Sequence, residues 1–227
     1  MHIDFSSFVL AAATADLTDE PAARADADAV EYRLDLATDP LDHLAAYDGE
    51  LPLIATNRPE WEGGEAPDDP ARLDALEVAA EHEAVGAIDV ELAALERGDA
   101  AAVAEHARDH GTAVIVSTHD FEGTPHRAAM AETLSKASQL GDVAKLAVTA
   151  EGAGDVLALL GATWDATTAG ETVATMAMGE AGRHSRAVAP LYGSRIGYAP
   201  VDPADATAPG QYDLATLAGL VGRLGDV

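Results

Sequence analysis

The chain has 227 residues, is 48% hydrophobic and lacks cysteine, so it can bury a large core as one domain and forms neither disulfides nor thiolate metal sites. Its formal charge of −27, from 40 acidic against 13 basic residues, would repel nucleic acid. No apolar run approaches the roughly 18 residues that suggest a bilayer span, and the N-terminus lacks a basic region followed by an apolar one, so a cytoplasmic protein without membrane partners is expected.

The first apolar run, Phe5 to Ala13, reads as a strand, and Thr18-Asp19-Glu20-Pro21 as a helix start with proline in the first turn. Val30 to Leu36 alternates strictly, with Glu31, Arg33 and Asp35 on one face and Tyr32, Leu34 and Leu36 on the other. A helix from Asp39-Pro40 to about Tyr47 and a strand from Leu51 to Thr56 follow, then a loop from Asn57 to Gly64 and a helix from about Asp69 to His82. Ala87 to Leu92 repeats the alternation with acids on one face, and a helix from Ala93 to His110 ends at Gly111.

Next come a strand from Thr112 to His119, a helix from about Thr124 to Leu140, and a strand from Val143 to Val148. Gly152 to Leu160 reads as helix, Thr172 to Met178 as strand, Gly179 to Leu191 as loop and helix, Arg195 to Val201 as strand, and Tyr212 to Leu224 as the last helix. Eight strands alternating with helices imply parallel pairing and right-handed crossovers. The expected fold is α/β, a (β/α)8 TIM barrel forming a single domain over residues 1–227. An open doubly wound sheet would carry a Gly-rich first turn, and none follows Ala13.

Two residues are out of place in their strands. His119 closes the β-branched run Val114-Ile115-Val116, and Lys145 interrupts an otherwise apolar stretch. A lysine near a strand end is commonly a snorkelling surface residue. Here only Lys136 and Lys145 are lysines, and Lys136 falls opposite the apolar stripe Met130, Leu134, Ala137 of its helix. A desolvated amine is pushed toward its neutral, nucleophilic form, and a nearby histidine is the usual proton shuttle, so the pair points to imine chemistry on a carbonyl substrate. In a barrel the inward faces of the strands bring Glu31, Arg33, Asp89, Glu91, His119 and Lys145 to one mouth, joined by Arg58 and Glu62 from a loop. An iminium on Lys145 would acidify the adjacent C–H, and His119 could remove that proton and then donate to a departing hydroxyl.

The residues that carry a family resemblance are Glu31-x-Arg33-x-Asp35, Arg58-x-x-x-Glu62-Gly63-Gly64, Ile88-Asp89-Val90-Glu91-Leu92, Ser117-x-His119-x-Phe121, Lys145-Leu146-Ala147, Met176-Ala177-Met178-Gly179 with Ser185-Arg186, Tyr192-Gly193-Ser194 and Ala208-Pro209-Gly210-Gln211. Together, in this order over nearly the whole chain, they resemble type I 3-dehydroquinate dehydratase, an enzyme of the shikimate route to aromatic amino acids. The resemblance implies 3-dehydroquinate as substrate, no cofactor, and a homodimer. It implies Lys145 as the imine lysine, His119 as general acid/base and Glu62 as the carboxylate orienting it. Glu31, Arg33 and Arg58 resemble residues that hold ring hydroxyls, Arg186 a clamp for the substrate carboxylate, and Thr207 with Gln211 part of a lid. Thr207 stands where serine is common, and Pro59 where a small polar residue is usual.

Other features read more plainly. Met176 and Met178 are expected to fill core, Asp89 and Glu91 to tune the field at the mouth and help place Arg33 and Arg58, and Arg183 to pair with surface acids. His2, His43, His82, His106, His110, His126 and His184 fall on termini, helices or loops without ligand spacing, so no metal site is expected. A Leu-rich, exposed last helix would be compatible with a dimer. On the residues alone, a class I aldolase and a non-catalytic barrel binding small anions remain alternatives. The dispersed acids suit a surface adapted to concentrated salt, where the Debye length shrinks to about 3 Å at 1 M, so a halophilic protein is expected.

Overall fold

In the computed structural model, which describes residues 1–202, 204, 206 and 208–225, eight parallel strands follow one another around an axis. They are β1 (Val9–Thr14), β2 (Ala29–Arg33), β3 (Leu53–Thr56), β4 (Val85–Glu91), β5 (Ala113–Asp120), β6 (Val143–Thr149), β7 (Val173–Met178) and β8 (Ile196–Pro200). Between and after them run α1 (Glu20–Ala23), α2 (Pro40–Ala45), α3 (Pro70–Ala80), α4 (Leu92–Arg97), α5 (Ala101–Asp109), α6 (Arg127–Ser138), α7 (Ala153–Thr168), α8 (Ser185–Val188) and α9 (Leu214–Leu224). This is the (β/α)8 barrel that the alternation predicts. Among the described residues no helix is long and apolar enough to cross a membrane.

The ladder is continuous from β7 back through β1 to β8. At the remaining seam a side chain substitutes for part of a strand. The Val173 carbonyl accepts from Arg195 N at 2.7 Å, and Ser194 Oγ accepts from Thr175 N at 2.9 Å. A hydroxyl thus satisfies a backbone donor that would otherwise be buried without a partner.

Strand alternation divides the core in two. Outward residues such as Val30, Tyr32, Ile88, Val114 and Leu146 pack under the helices, while Val9, Ile54, Ile115, Val143 and Ile196 fill the barrel. Along the inward rows the chemistry changes with height. Ala29 leads to Glu31 and Arg33, Ala87 to Asp89 and Glu91, Ile115 to Ser117, and Val143 to Lys145. Apolar side chains plug the lower barrel, and charged ones gather toward the strand C-termini.

Several boundaries differ from expectation. The single helix expected from Ala93 to His110 is two, because Gly98 adopts φ +85° and ends α4. The first strand begins at Val9, since Ser6 N donates to Asp4 Oδ1 at 2.9 Å in a turn that holds the preceding residues out of the sheet. Helix α7 continues eight residues past Leu160, burying Thr163 and Ala166, although exposed Leu157 and Trp164 blur its periodicity. The last helix is not an exposed leucine surface: Leu214, Leu217 and Val221 are buried.

Candidate active site

Register sets the first row of the site. Glu91 on β4 pairs with Ser117 on β5, which pairs with Lys145 on β6, so all three project into the barrel at one level. Asp89 lies one inward step below Glu91 and links the row to its neighbours. Its Oδ1 accepts from Arg58 Nη2 at 2.7 Å and Ser117 Oγ at 2.6 Å, and its Oδ2 accepts from Lys145 Nζ at 2.8 Å. Arg58 Nη1 donates to Glu91 Oε1 at 2.6 Å, to Ser117 Oγ at 2.7 Å and to Glu62 Oε2 at 3.2 Å.

Asp89 and Glu91 therefore form the frame that holds Arg58, and Asp89 also holds Lys145. Holding Arg58 is the part expected of them from the sequence, whereas Arg33 is held by Asp35 instead, and the bond from Asp89 to Lys145 was not foreseen. Their buried charges are matched by cations and hydrogen bonds, the condition under which such a network is tolerable. Burial pushes the Asp89 carboxyl up, but Arg58 and Lys145 outweigh burial and hold it well below the usual carboxylate range.

Lys145 is buried, as expected, but it is not a bare amine. Besides Asp89 it approaches Glu31 Oε1 at 3.7 Å, and it lies 4.2 Å from the centroid of the Tyr198 ring. Glu31 Oε1 is itself held by Thr56 Oγ1 at 3.0 Å. Arg33 is locked by Asp35 through two contacts, Nε to Oδ1 at 2.9 Å and Nη2 to Oδ2 at 2.6 Å.

His119 is oriented differently from the expected carboxylate–imidazole bond. Glu62 Oε1 accepts from the His119 backbone N at 3.2 Å, whereas Nδ1 stands 3.8 Å from Glu62 Oε2 and makes no hydrogen bond among the described residues. Burial, then Arg58 and Lys145, push the imidazole well below its ordinary pKa, leaving a neutral base at physiological pH. Burial raises Glu62 to about 7 against the pull of Arg58, so this carboxyl titrates near neutrality.

Arg186, next to the N-terminus of α8, is the contrasting cation. It is buried, and its Nε and Nη2 have no hydrogen-bond partner among the described residues. Burial alone lowers its pKa to about 10. A guanidinium with two idle donors in a pocket wall is suited to a carboxylate.

These side chains line one cavity enclosing about 590 Å³ including its open mouth, within the range of about 300–1,000 Å³ for small-molecule sites. Lys145, His119, Glu62, Glu31, Arg33, Arg58, Arg186 and Gln211 all contribute to its wall. Thr207 lies outside the described residues. Gln211 Oε1 accepts from Ala208 N at 3.1 Å, and the Pro209 carbonyl accepts from Gly179 N at 3.1 Å, which docks this loop on the barrel rim. Gly210 allows that approach: it has φ +77°, and a Cβ there would sit 2.4 Å from the Gly179 carbonyl oxygen.

Two contributors were not singled out from the sequence. Tyr198 faces the cavity from β8, and the alternation Ile196-Gly197-Tyr198 was the available signal. Arg72 reaches in from α3, donating to Glu91 Oε2 at 2.9 Å and to the Asn57 carbonyl at 3.0 Å, and nothing in the linear sequence marks it. Met176 and Met178 fill the barrel, as expected, and also line the cavity. Arg183, expected to pair with surface acids, instead lies 4.2 Å over the Tyr212 ring.

The family model for type I 3-dehydroquinase matches residues 8–225. The chain belongs to the type I 3-dehydroquinase family. It is thereby an enzyme of the hydro-lyase class, and the aldolase and silent-barrel alternatives are set aside. It is 65% identical over 225 residues to the 3-dehydroquinate dehydratase of Haloarcula marismortui, covering 98% of each chain. It is 52% identical to that of Halobacterium salinarum, covering 98% of this chain and 100% of the relative. Among solved structures, 3-dehydroquinate dehydratase from Geobacillus kaustophilus superposes with a TM-score of 0.85 at 29% identity, over 96% of this chain and 91% of the other. This type I 3-dehydroquinase thus shares 98% of its length with relatives from halophiles.

Proposed function

We propose that this enzyme dehydrates 3-dehydroquinate to 3-dehydroshikimate and water, a step in aromatic amino acid biosynthesis, through an imine on Lys145. The observation that carries the reading is the grouping in one cavity of a buried lysine amine, a neutral imidazole and a buried guanidinium with unpaired donors. Arg186 takes the substrate carboxylate in a bidentate contact. Glu31 and the Arg33 and Arg58 guanidiniums face the ring hydroxyls.

The amine must shed a proton before it attacks the ketone, and the neutral imidazole of His119 is a base able to receive it. Nζ then adds to the carbonyl carbon, and protonated His119 returns its proton to the resulting carbinolamine hydroxyl, which leaves as water to give the iminium, an electron sink, with His119 neutral again. His119 removes the proton from the adjacent carbon, and the electron pair collects as the enamine. The same proton returns to the hydroxyl that leaves β to the original ketone, so one water departs and the double bond forms. A second water hydrolyses the imine, freeing the product and Lys145. Asp89, paired to Nζ, keeps the amine pointing at the reacting carbon, and Tyr198 presents its ring face to the developing cation.

Borohydride reduction in the presence of 3-dehydroquinate tests this reading. The expected result is a stable adduct on the peptide carrying Lys145, and a fall of about 10⁴-fold or more in kcat for Lys145→Ala. Active enzyme that yields no adduct at this position would defeat the imine route. We further infer a cytoplasmic, salt-adapted homodimer: the surface is acidic, and Leu157, Trp164, Leu191 and Tyr192 leave apolar side chains exposed. Sedimentation in molar KCl checks the oligomeric state.

A further inference from the structure

At the end of the barrel opposite the mouth, two helices finish close together. Glu81 is the residue that caps the C-terminus of α3, His106 lies in the last turn of α5, and His110 caps it. The two histidines stand four apart on one helix face, a spacing that the linear reading passed over. Their ring centroids are 4.3 Å apart. His106 Nε2 lies 3.1 Å from Glu81 Oε1, and His110 Nδ1 lies 2.9 Å from the His106 carbonyl oxygen.

A carbonyl can only accept, so His110 carries its proton on Nδ1. Its Nε2 lone pair is left available, the arrangement that supporting hydrogen bonds impose on metal-bound imidazoles. Ligand atoms from the three residues all lie within 4.8 Å of one another. In a tetrahedral shell with bonds of about 2.0–2.2 Å the donors would be roughly 3.4 Å apart, so a modest rotation of exposed Glu81 and His110 about half-buried His106 closes the set.

We propose that Glu81, His106 and His110 bind one first-row divalent transition-metal ion that ties the end of α3 to the end of α5. Two imidazoles and a carboxylate form a donor set that zinc accepts, with water completing the shell. His106 shifts its proton from Nε2 to Nδ1 when the ion takes that lone pair, so no net proton is lost. Two further features favour a cation at this point. Both helices direct their C-terminal, negative poles toward it, and the chain as a whole carries −27. The opposite end of the barrel holds the catalytic cavity, so the ion acts on stability and leaves the chemistry alone.

The test uses chelator-treated enzyme in molar KCl, titrated with ZnCl2 by calorimetry and followed by thermal unfolding. Wild-type enzyme is expected to bind one Zn2+, and at about a hundred times the Kd its Tm is expected to rise by roughly 5–10 °C while kcat stays unchanged. The double variant His106→Gln/His110→Gln is expected to fold and to lose both the binding and the Tm rise. Substituting Cu2+ gives a spectroscopic signature, nitrogen couplings from two imidazoles in its electron paramagnetic resonance spectrum, absent in the double variant. Absence of 1:1 binding to the wild type would overturn the proposal, as would equal Zn2+ affinity in the double variant or a copper spectrum without two nitrogens.

Discussion

The mouth of the barrel and its outer shell use the same charged side chains to opposite ends. At the mouth five basic residues, Arg33, Arg58, Arg72, Lys145 and Arg186, face five acidic ones, Glu31, Asp35, Glu62, Asp89 and Glu91. The remaining eight basic and thirty-five acidic residues leave the whole charge of −27 to the rest of the protein. Charges at the mouth are buried and balanced in number, and every cation there but Arg186 lies at hydrogen-bond distance from a carboxylate, so salt hardly reaches them. Charges on the shell are numerous and mostly unmatched, so their mutual repulsion depends on the ions around them. A carboxylate in the first region fixes geometry, and in the second it sets the conditions under which the fold persists.

The contrast is tested most severely at Asp89. Replacing it with Asn keeps the shape but leaves Arg58 and Lys145 short of a buried counter-charge, at an expected cost of about 3–5 kcal/mol. Urea unfolding in molar KCl measures this. Because the Asp89 carboxyl is held below its unfolded value, its stabilisation is present above the ordinary carboxylate range and disappears as pH falls below it. A cost near zero would mean that the mouth is no better ordered than the shell.

Arg186 sharpens the comparison, since it is the mouth cation without a carboxylate partner among the described residues. Arg186→Met is expected to raise KM by about a hundredfold, the worth of two charge-assisted hydrogen bonds. The same change should raise Tm in the absence of substrate, by removing an uncompensated buried charge. Unchanged KM would remove Arg186 from substrate binding.

Glu62 offers a pH test. Its folded carboxyl titrates at about 7, above the unfolded value, so ionising it disfavours the folded state and stability is lost as pH rises from about 4.5 through 7. In Glu62→Gln this slope is absent. The Tm difference between variant and wild type should therefore grow in favour of the variant across that window, and the activity profile of the variant should lose an inflection near 7. Parallel stability curves would assign the inflection elsewhere.

The shell gives the gentlest effects per residue. Tm is expected to rise with KCl from dilute buffer toward molar concentrations, and KM to fall several-fold as global repulsion of an anionic substrate is screened. Lys136→Ala removes an exposed pair with Glu132 and should leave Tm within about 1 °C. A KM that climbs steadily with salt would show that the mouth, too, is governed by screening.

The sequence alone determined the barrel, because period-2 strands alternating with helices admit few other closures, and it determined which strand faces carry charge. Lys145 and His119 were legible as residues at odds with their neighbours, and the ordered motifs added Glu62, Arg58 and Arg186. Tertiary structure alone decided the partners. That Asp89 rather than open space meets the Lys145 amine, that Arg72 crosses from α3 to Glu91, and that Glu62 grips the backbone of His119 all follow from strand register and loop docking. The same holds for the helix break at Gly98, where one backbone angle overrides a continuous helical pattern. Periodicity is a property of neighbours along the chain and so can be read there, whereas hydrogen-bond partners at the mouth are separated by as many as 59 residues and meet only when the barrel closes.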